Sequence, residues 1–225
     1  MKNTRKTSVI TNKYDLSKIL PENYFITATD TDVGKTFVAS LLGKYYRSKG
    51  YITGAMKPIA SGDRSDAILL KEKLALTDSI ETINPVLFDL PLAPYSCFLE
   101  NKGDLPTKEK AIEKILNKYD FLKKKYEIVL VEGIGGLLVP LWDKYYLVDL
   151  ISLFKIPVLI VAKAGLGTIN HTLLTVESLK KRKIPIYGII LNGFSGKDIS
   201  ENTNKIVIEK FAGIPVLATI PYMRL

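Results

Sequence analysis

Cysteine is almost missing from this sequence: Cys97 is the only one among 225 residues. It can form no internal disulfide and no cysteine metal site by itself, which fits a reducing compartment and a buried or half-buried thiol. Long apolar runs are missing too. The longest, 156–162 and 186–191, have strand length and fall far short of the about 20 residues that a bilayer-crossing helix needs. Residues 1–22 are polar and basic, with no apolar core and no small-residue cleavage site, so the expected location is the cytoplasm. Histidine is limited to His171, inside a helical pattern, where packing or hydrogen bonding is expected rather than catalysis. The 32 Lys and Arg outnumber the 23 Asp and Glu to leave a net charge of +9, but they are spread along the chain. The basic runs 123–125 and 180–183 fall at helix ends, where cations complement the helix dipole. No nucleic-acid or membrane partner is expected, and a positive field suits small anionic substrates.

What is present is a chain that is 47% hydrophobic, enough for one sizeable core and too short for two ordinary domains. From residue 24 onward, apolar runs of strand length alternate with helix-period segments. This is the signature of βαβ units, and it predicts an α/β fold: a mostly parallel central sheet with helices on both faces. Strands are expected at 24–27, 52–56, 128–131, 158–161, 187–191 and 216–219, and helices at 35–48, 108–124, 168–181 and 200–211. Pro157, Pro185 and Pro215 stand at strand entries, where a missing donor costs little. The stretch 84–106 contains Pro85, Pro91 and Pro94, lacks clear periodicity and reads as a long loop. Residues 1–22 read as an extension, flexible or a short added helix, ahead of a single domain at 23–225.

The segment from Tyr24 to Thr36 runs strand, loop, Gly34-Lys35-Thr36, helix. That order makes a phosphate loop. Backbone N–H groups around Asp32, Val33 and Gly34 would cradle phosphate oxygens at the helix start, Lys35 would reach the β- and γ-phosphates, and the Thr36 hydroxyl would bind Mg²⁺. The strict pattern has glycine where Thr29 stands.

Three further segments fall at strand ends on the same edge. Lys57-Pro58-Ile59-Ala60-Ser61-Gly62 offers a lysine and a serine to a ligand crevice, although a surface lysine before a turn is an equal reading. Asp66, in Ser65-Asp66-Ala67, opens a helix and is either a dipole partner or an oxygen ligand for a metal. Glu132 follows the apolar strand Ile128-Val129-Leu130-Val131 and precedes Gly133, Gly135 and Gly136. A tight turn accounts for the glycines but not for the acid, which stands where a P-loop enzyme holds Mg²⁺. Gly167, Thr168, Ile169 and Asn170 begin another helix, either a second anion site suited to a carboxylate or only a glycine turn.

Taken in order, Thr-Asp-Thr-Asp-Val-Gly-Lys-Thr, Lys-Pro-Ile-Ala-Ser-Gly, Ser-Asp-Ala, Val-Glu-Gly-Ile-Gly-Gly and Gly-Thr-Ile-Asn-His resemble the dethiobiotin synthetase family, P-loop enzymes of biotin biosynthesis, from residue 24 to the C-terminus. The resemblance implies a three-layer P-loop NTPase-like fold and a ligase reaction: 7,8-diaminopelargonic acid, CO₂ and ATP give dethiobiotin, ADP and phosphate. It implies that Lys57 and Lys35 are catalytic, and that Thr36, Asp66 and Glu132 hold Mg²⁺. Thr31, Ser61 and Gly135 would hold the diamine. In a homodimer, Gly167, Thr168, Ile169 and Asn170 would meet the substrate carboxylate of the neighbouring subunit. Gly133, Gly135, Asn192, Gly193, Pro221, Tyr222 and Met223 would complete the nucleotide site. The chain departs from the family at Ala28, where glycine is usual, and at Gly193, where an acid often follows the asparagine, so other nucleoside triphosphates are expected to be accepted beside ATP. Another P-loop ligase or a ParA-like nucleotide switch are the competing readings.

Overall fold

The computed structural model describes residues 15–100 and 105–223. The chain begins with β1 (Tyr24–Ala28), α1 (Lys35–Ser48), β2 (Thr53–Met56), β3 (Ile59–Ser61), α2 (Ser65–Lys73), α3 (Ile80–Ile83), β4 (Val86–Phe88) and α4 (Pro94–Glu100). It continues with α5 (Lys108–Lys125), β5 (Ile128–Glu132), β6 (Pro140–Trp142), β7 (Tyr145–Tyr146), α6 (Leu147–Phe154) and β8 (Val158–Lys163). α7 (Thr168–Lys181), β9 (Ile186–Phe194), α8 (Glu201–Ala212) and β10 (Val216–Pro221) complete the fold. Among the described residues no helix is long and apolar enough to cross a membrane.

Six strands form one parallel sheet in the order β10-β9-β8-β1-β5-β2. β1 and β5 are buried at every residue and β8 at all but its last, as strands must be when helices cover both faces. From β1 the chain builds β2 and β5 on one side, then crosses to build β8, β9 and β10 on the other. Where the connections diverge, the loops at the strand carboxyl ends part and leave a crevice. All six expected strands and all four expected helices occur, with ends shifted by no more than three residues.

Two expectations fail. The described part of 84–106 is not a long loop: β4 pairs with β3 in a small parallel sheet, and α4 follows with its own Cys97 buried, while residues 101–104 lie outside the described residues. Pro85 precedes β4 and Pro94 opens α4, where its missing N–H is not needed; Pro91 stays in the bend between them. The second is α6, absent from the expected helices. Leu147, Val148, Leu150, Ile151 and Phe154 are buried at helical spacing while Asp149 and Ser152 fall on the other side, a pattern compressed into 8 residues and so easily passed over. Asp149 reveals its start, accepting the Tyr146 N–H at 2.8 Å.

Residues 1–14 lie outside the described residues, but 15–22 pack against the domain. Leu16 and Ile19 are buried, and the Leu20 carbonyl accepts from the hydroxyls of Tyr24 and Tyr46, both at 2.9 Å.

Candidate active site

The loop between β1 and α1 holds its shape by contacts that fix its backbone. Thr29 N–H donates to the Val161 carbonyl of β8 at 3.1 Å, and Asn192 Nδ2 of β9 donates to the Val33 carbonyl at 2.8 Å. Gly34 has φ 91° and caps α1. A Cβ there would lie 2.2 Å from Asn192 Nδ2. Gly34→Ala therefore forces both a left-handed backbone on a residue that resists it and a retreat of Asn192. Nucleotide affinity of this variant should fall at least about ten-fold with the fold retained, since strain of this kind is worth ~1–3 kcal/mol; calorimetric titration with ATP checks it.

Lys35 is buried under the loop, its Nζ donating to the Asp30 carbonyl at 3.3 Å. Burial and the neighbouring Lys57 charge lower its pKa to about 8, against the opposing pull of Glu132, Asp66 and Asp32. Below that value it carries the charge that phosphates need, and above it the charge is lost. Nucleotide binding should weaken about ten-fold between pH 7 and pH 9, with proton uptake on binding at the higher pH. Titrations in two buffers of different ionisation enthalpy check both signs.

Beside the loop, four side chains from four elements meet. Lys57, just past β2, has its Nζ 2.6 Å from Asp66 Oδ2 of α2 and 2.6 Å from Glu132 Oε1 of β5. Thr36 Oγ1 of α1 lies 2.8 Å from Asp66 Oδ1 and 2.8 Å from the same Glu132 Oε1. Lys57 and Glu132 are buried, while the Asp66 side chain is 46% exposed. Burial opposes the charge on Lys57, but the Glu132 and Asp66 carboxylates outweigh it and raise its pKa. Burial likewise acts to raise the Asp66 pKa and is outweighed by the Lys57 charge and the hydrogen bonds from Lys57 and Thr36, which lower it.

These distances also test the metal. A hydroxyl has one proton, so Thr36 can donate to only one of its two carboxylate neighbours, and the other contact sets lone pair against lone pair. Glu132 Oε2 is buried with no hydrogen-bond partner among the described residues. A cation would relieve both. Octahedral Mg²⁺ with bonds of about 2.0–2.1 Å spaces adjacent ligand oxygens by about 3 Å, close to the separations here. The described residues contain no cluster of three His, Cys, Asp or Glu that could hold a metal ion. Two carboxylates and a hydroxyl instead match a metal completed by phosphate oxygens.

Two open lobes of ≈ 640 and ≈ 560 Å³ meet over the loop and share Thr31 and Asp32. The larger brings together Thr31, Lys35, Lys57, Ser61, Asp66 and Gly135. The smaller gathers Val33, Gly34, Asn192, Gly193, Tyr222 and Met223, with Thr168 at its edge. Other expected residues line neither lobe. Gly133 is buried with its N–H donating to the Ile26 carbonyl, Pro221 belongs to β10, and Gly167 and Asn170 are exposed at the start of α7. Sequence reasoning missed Asp63 in the larger lobe and Phe37, Lys163 and Leu166 in the smaller. His171, expected to pack or hydrogen-bond rather than to catalyse, is exposed and borders the smaller lobe. For Asp63, its place between Ser61 and Asp66 was a usable signal; Phe37 looked like any apolar helix residue.

Comparison with known proteins agrees with this geometry. A family model described as an AAA domain matches residues 22–225. Among solved structures, the MinD cell division protein of Aquifex aeolicus superposes with a TM-score of 0.55 at 18% identity, covering 90% of this chain and 83% of that one. A ParA family ATPase from Chlorobium tepidum gives 0.51 at 14% identity, covering 90% and 85%. Identities this low establish the P-loop fold and nothing more. Curated relatives are much nearer. The ATP-dependent dethiobiotin synthetase of Aquifex aeolicus is 45% identical over 84% of both chains. Those of Endomicrobium trichonymphae and Bacillus subtilis are 42% and 39% identical, covering 86% and 88% of this chain and 89% and 86% of their own. With relatives so similar over nearly the whole domain, the chain belongs to the ATP-dependent dethiobiotin synthetase family.

Proposed function

We propose that this enzyme converts 7,8-diaminopelargonic acid, CO₂ and ATP to dethiobiotin, ADP and phosphate, with Lys57 as the central catalytic group. The observation that carries the reading is the buried Lys57 beside Thr36, Asp66 and Glu132, opening on the lobe that also holds Lys35 and Ser61. One amine of the diamine adds to CO₂ and releases a proton, giving a carbamate. The γ-phosphoryl group of ATP then passes to a carbamate oxygen as ADP leaves. The second amine attacks the carbamoyl carbon, phosphate departs, and the ureido ring closes with loss of a proton.

The chain supplies position and charge for these steps rather than a nucleophile. Lys57 binds the carbamate and the transferring phosphoryl group, and Lys35 binds the β- and γ-phosphates together with the N–H groups of Asp32, Val33 and Gly34. Thr36, Asp66 and Glu132 would hold Mg²⁺, which would supply charge neutralisation at the phosphates. Thr31, Ser61 and Gly135 hold the diamine; the Ser61 hydroxyl is buried and has no hydrogen-bond partner among the described residues, which suits a ligand amine or carbamate. Asn192, Gly193, Pro221, Tyr222 and Met223 surround the base, with Gly133 supporting the turn. Because Gly193 brings no carboxylate to that lobe, other nucleoside triphosphates should serve beside ATP.

Homodimerisation completes the reading. Gly167, Thr168, Ile169 and Asn170 start α7 away from the lobe of Lys57, as expected if their amides serve the substrate carboxylate of a neighbouring subunit. Leu138 and Leu174, 53% and 56% exposed, flank a shallow cleft beside Thr31 that a second subunit would cover. The domain works at residues 23–225, in the cytoplasm, without nucleic acid. Phosphate release with Mg²⁺-ATP and bicarbonate, with and without the diamine, tests the proposal: phosphate matched by dethiobiotin supports it, and hydrolysis indifferent to the diamine rejects it.

A further inference from the structure

Lys57 occupies the ligand set that suits a metal. Its Nζ is 2.6 Å from Glu132 Oε1, the oxygen that also lies 2.8 Å from Thr36 Oγ1, and 2.6 Å from Asp66 Oδ2. A divalent ion bonded to Glu132 Oε1 and Thr36 Oγ1 would stand within a few ångströms of that ammonium. Both Lys57 and Glu132 are buried, and like charges that close repel strongly where little water screens them. The ammonium and the ion exclude each other. The lysine is also an incomplete partner, since Glu132 Oε2 remains buried beside it with no partner among the described residues. The pair thus keeps an affinity for a stronger cation.

We propose that Asp66 and Glu132 hold two cations in turn, Lys57 before the metal arrives and the metal afterwards, so that metal entry drives the Lys57 ammonium into the lobe lined by Ser61 and Gly135. This rests on the proposed roles of Lys57 and the metal ligands and adds a positioning role for the two carboxylates. Before exchange, Lys57 is neutralised by two carboxylates and has little charge to offer a substrate. After exchange its charge and three donors are free for the carbamate and the γ-phosphoryl group. The lysine therefore reaches working position only when the metal that accompanies the nucleotide is in place.

Mn²⁺ binding by the full chain without nucleotide tests this, read by electron paramagnetic resonance. Lys57→Met should bind Mn²⁺ at least about ten-fold more tightly than the wild type, because a resident competitor has gone. Lys35→Met should tighten Mn²⁺ binding by clearly less than Lys57→Met does, since Lys35 contacts the Asp30 carbonyl and reaches the two carboxylates only through space. If Lys57→Met fails to fold, acetylation of wild-type Lys57 followed by mass spectrometry decides: saturating Mg²⁺ without nucleotide should accelerate it. A folded Lys57→Met variant that binds Mn²⁺ no more tightly than the wild type overturns the exchange, as does acetylation indifferent to Mg²⁺. Absence of dethiobiotin formation by the wild type would reject the proposed reaction instead.

Discussion

Lys57→Ala is expected to lower diamine-dependent phosphate release by ~10³-fold or more while changing ATP affinity by only a few-fold. The size follows from where the charge acts. A preorganised donor in a dry site stabilises charge developing in the transition state, and removing one such donor commonly lowers kcat by about 10²–10³-fold. Lys57 carries a full charge among buried walls and would act on two successive steps, the carbamate and its phosphorylation, which puts it at or beyond the upper end of that range. ATP affinity should survive because Lys35, Gly34 and the loop amides are untouched, and the Asn192 bond to the Val33 carbonyl at 2.8 Å still holds the loop. Lys57→Arg should not restore activity. A planar guanidinium cannot fit the 2.6 Å contacts to two carboxylates on different elements as a compact ammonium does. Steady-state kinetics with separate titration of diamine and ATP checks each part; a loss under about ten-fold would remove Lys57 from the chemistry.

Much of this site was legible in the sequence because it is built at strand ends. An apolar run fixes the strand, the strand fixes the edge, and a polar residue immediately after it lands in the crevice. Lys57, directly after β2, and Glu132, at the end of β5, follow that rule, and Lys35 joins them from the start of α1 beyond the loop that leaves β1. What the sequence withheld was distance. Nothing in the spacing of residues 36, 57 and 132 announces that Glu132 Oε1 lies within hydrogen-bonding distance of both Thr36 and Lys57, because those contacts join α1, the end of β2 and β5. The small sheet of β3 and β4 was hidden for a different reason: three-residue strands are too short to display a period, and nearby prolines imitate a loop. α6 was hidden by its length: its buried residues do recur at helical spacing, but 8 residues give that period only about two turns to show itself.

Glu132 tests whether the cluster is as tightly coupled as its distances indicate. Glu132→Ala removes the fully buried partner of a buried lysine, leaving Lys57 with Asp66, whose side chain is 46% exposed. Breaking a buried pair by removing one member leaves an uncompensated charge, and the expected loss of stability is about 3–5 kcal/mol, read from urea unfolding. Asp66→Asn should lose less than about half of that, because water already reaches Asp66 and can replace part of the interaction. Catalysis should not follow the same order. If both carboxylates are metal ligands, each substitution should reduce turnover by at least about 10²-fold, however different their effects on folding, because metal ligation stabilises transition-state charge by several kcal/mol. Unequal stability loss with equally severe loss of turnover would show that the pair serves the fold mainly through Glu132 and the chemistry through both. An Asp66→Asn variant that folds like the wild type and turns over normally would exclude Asp66 as a metal ligand and leave Thr36 and Glu132 to do that work alone.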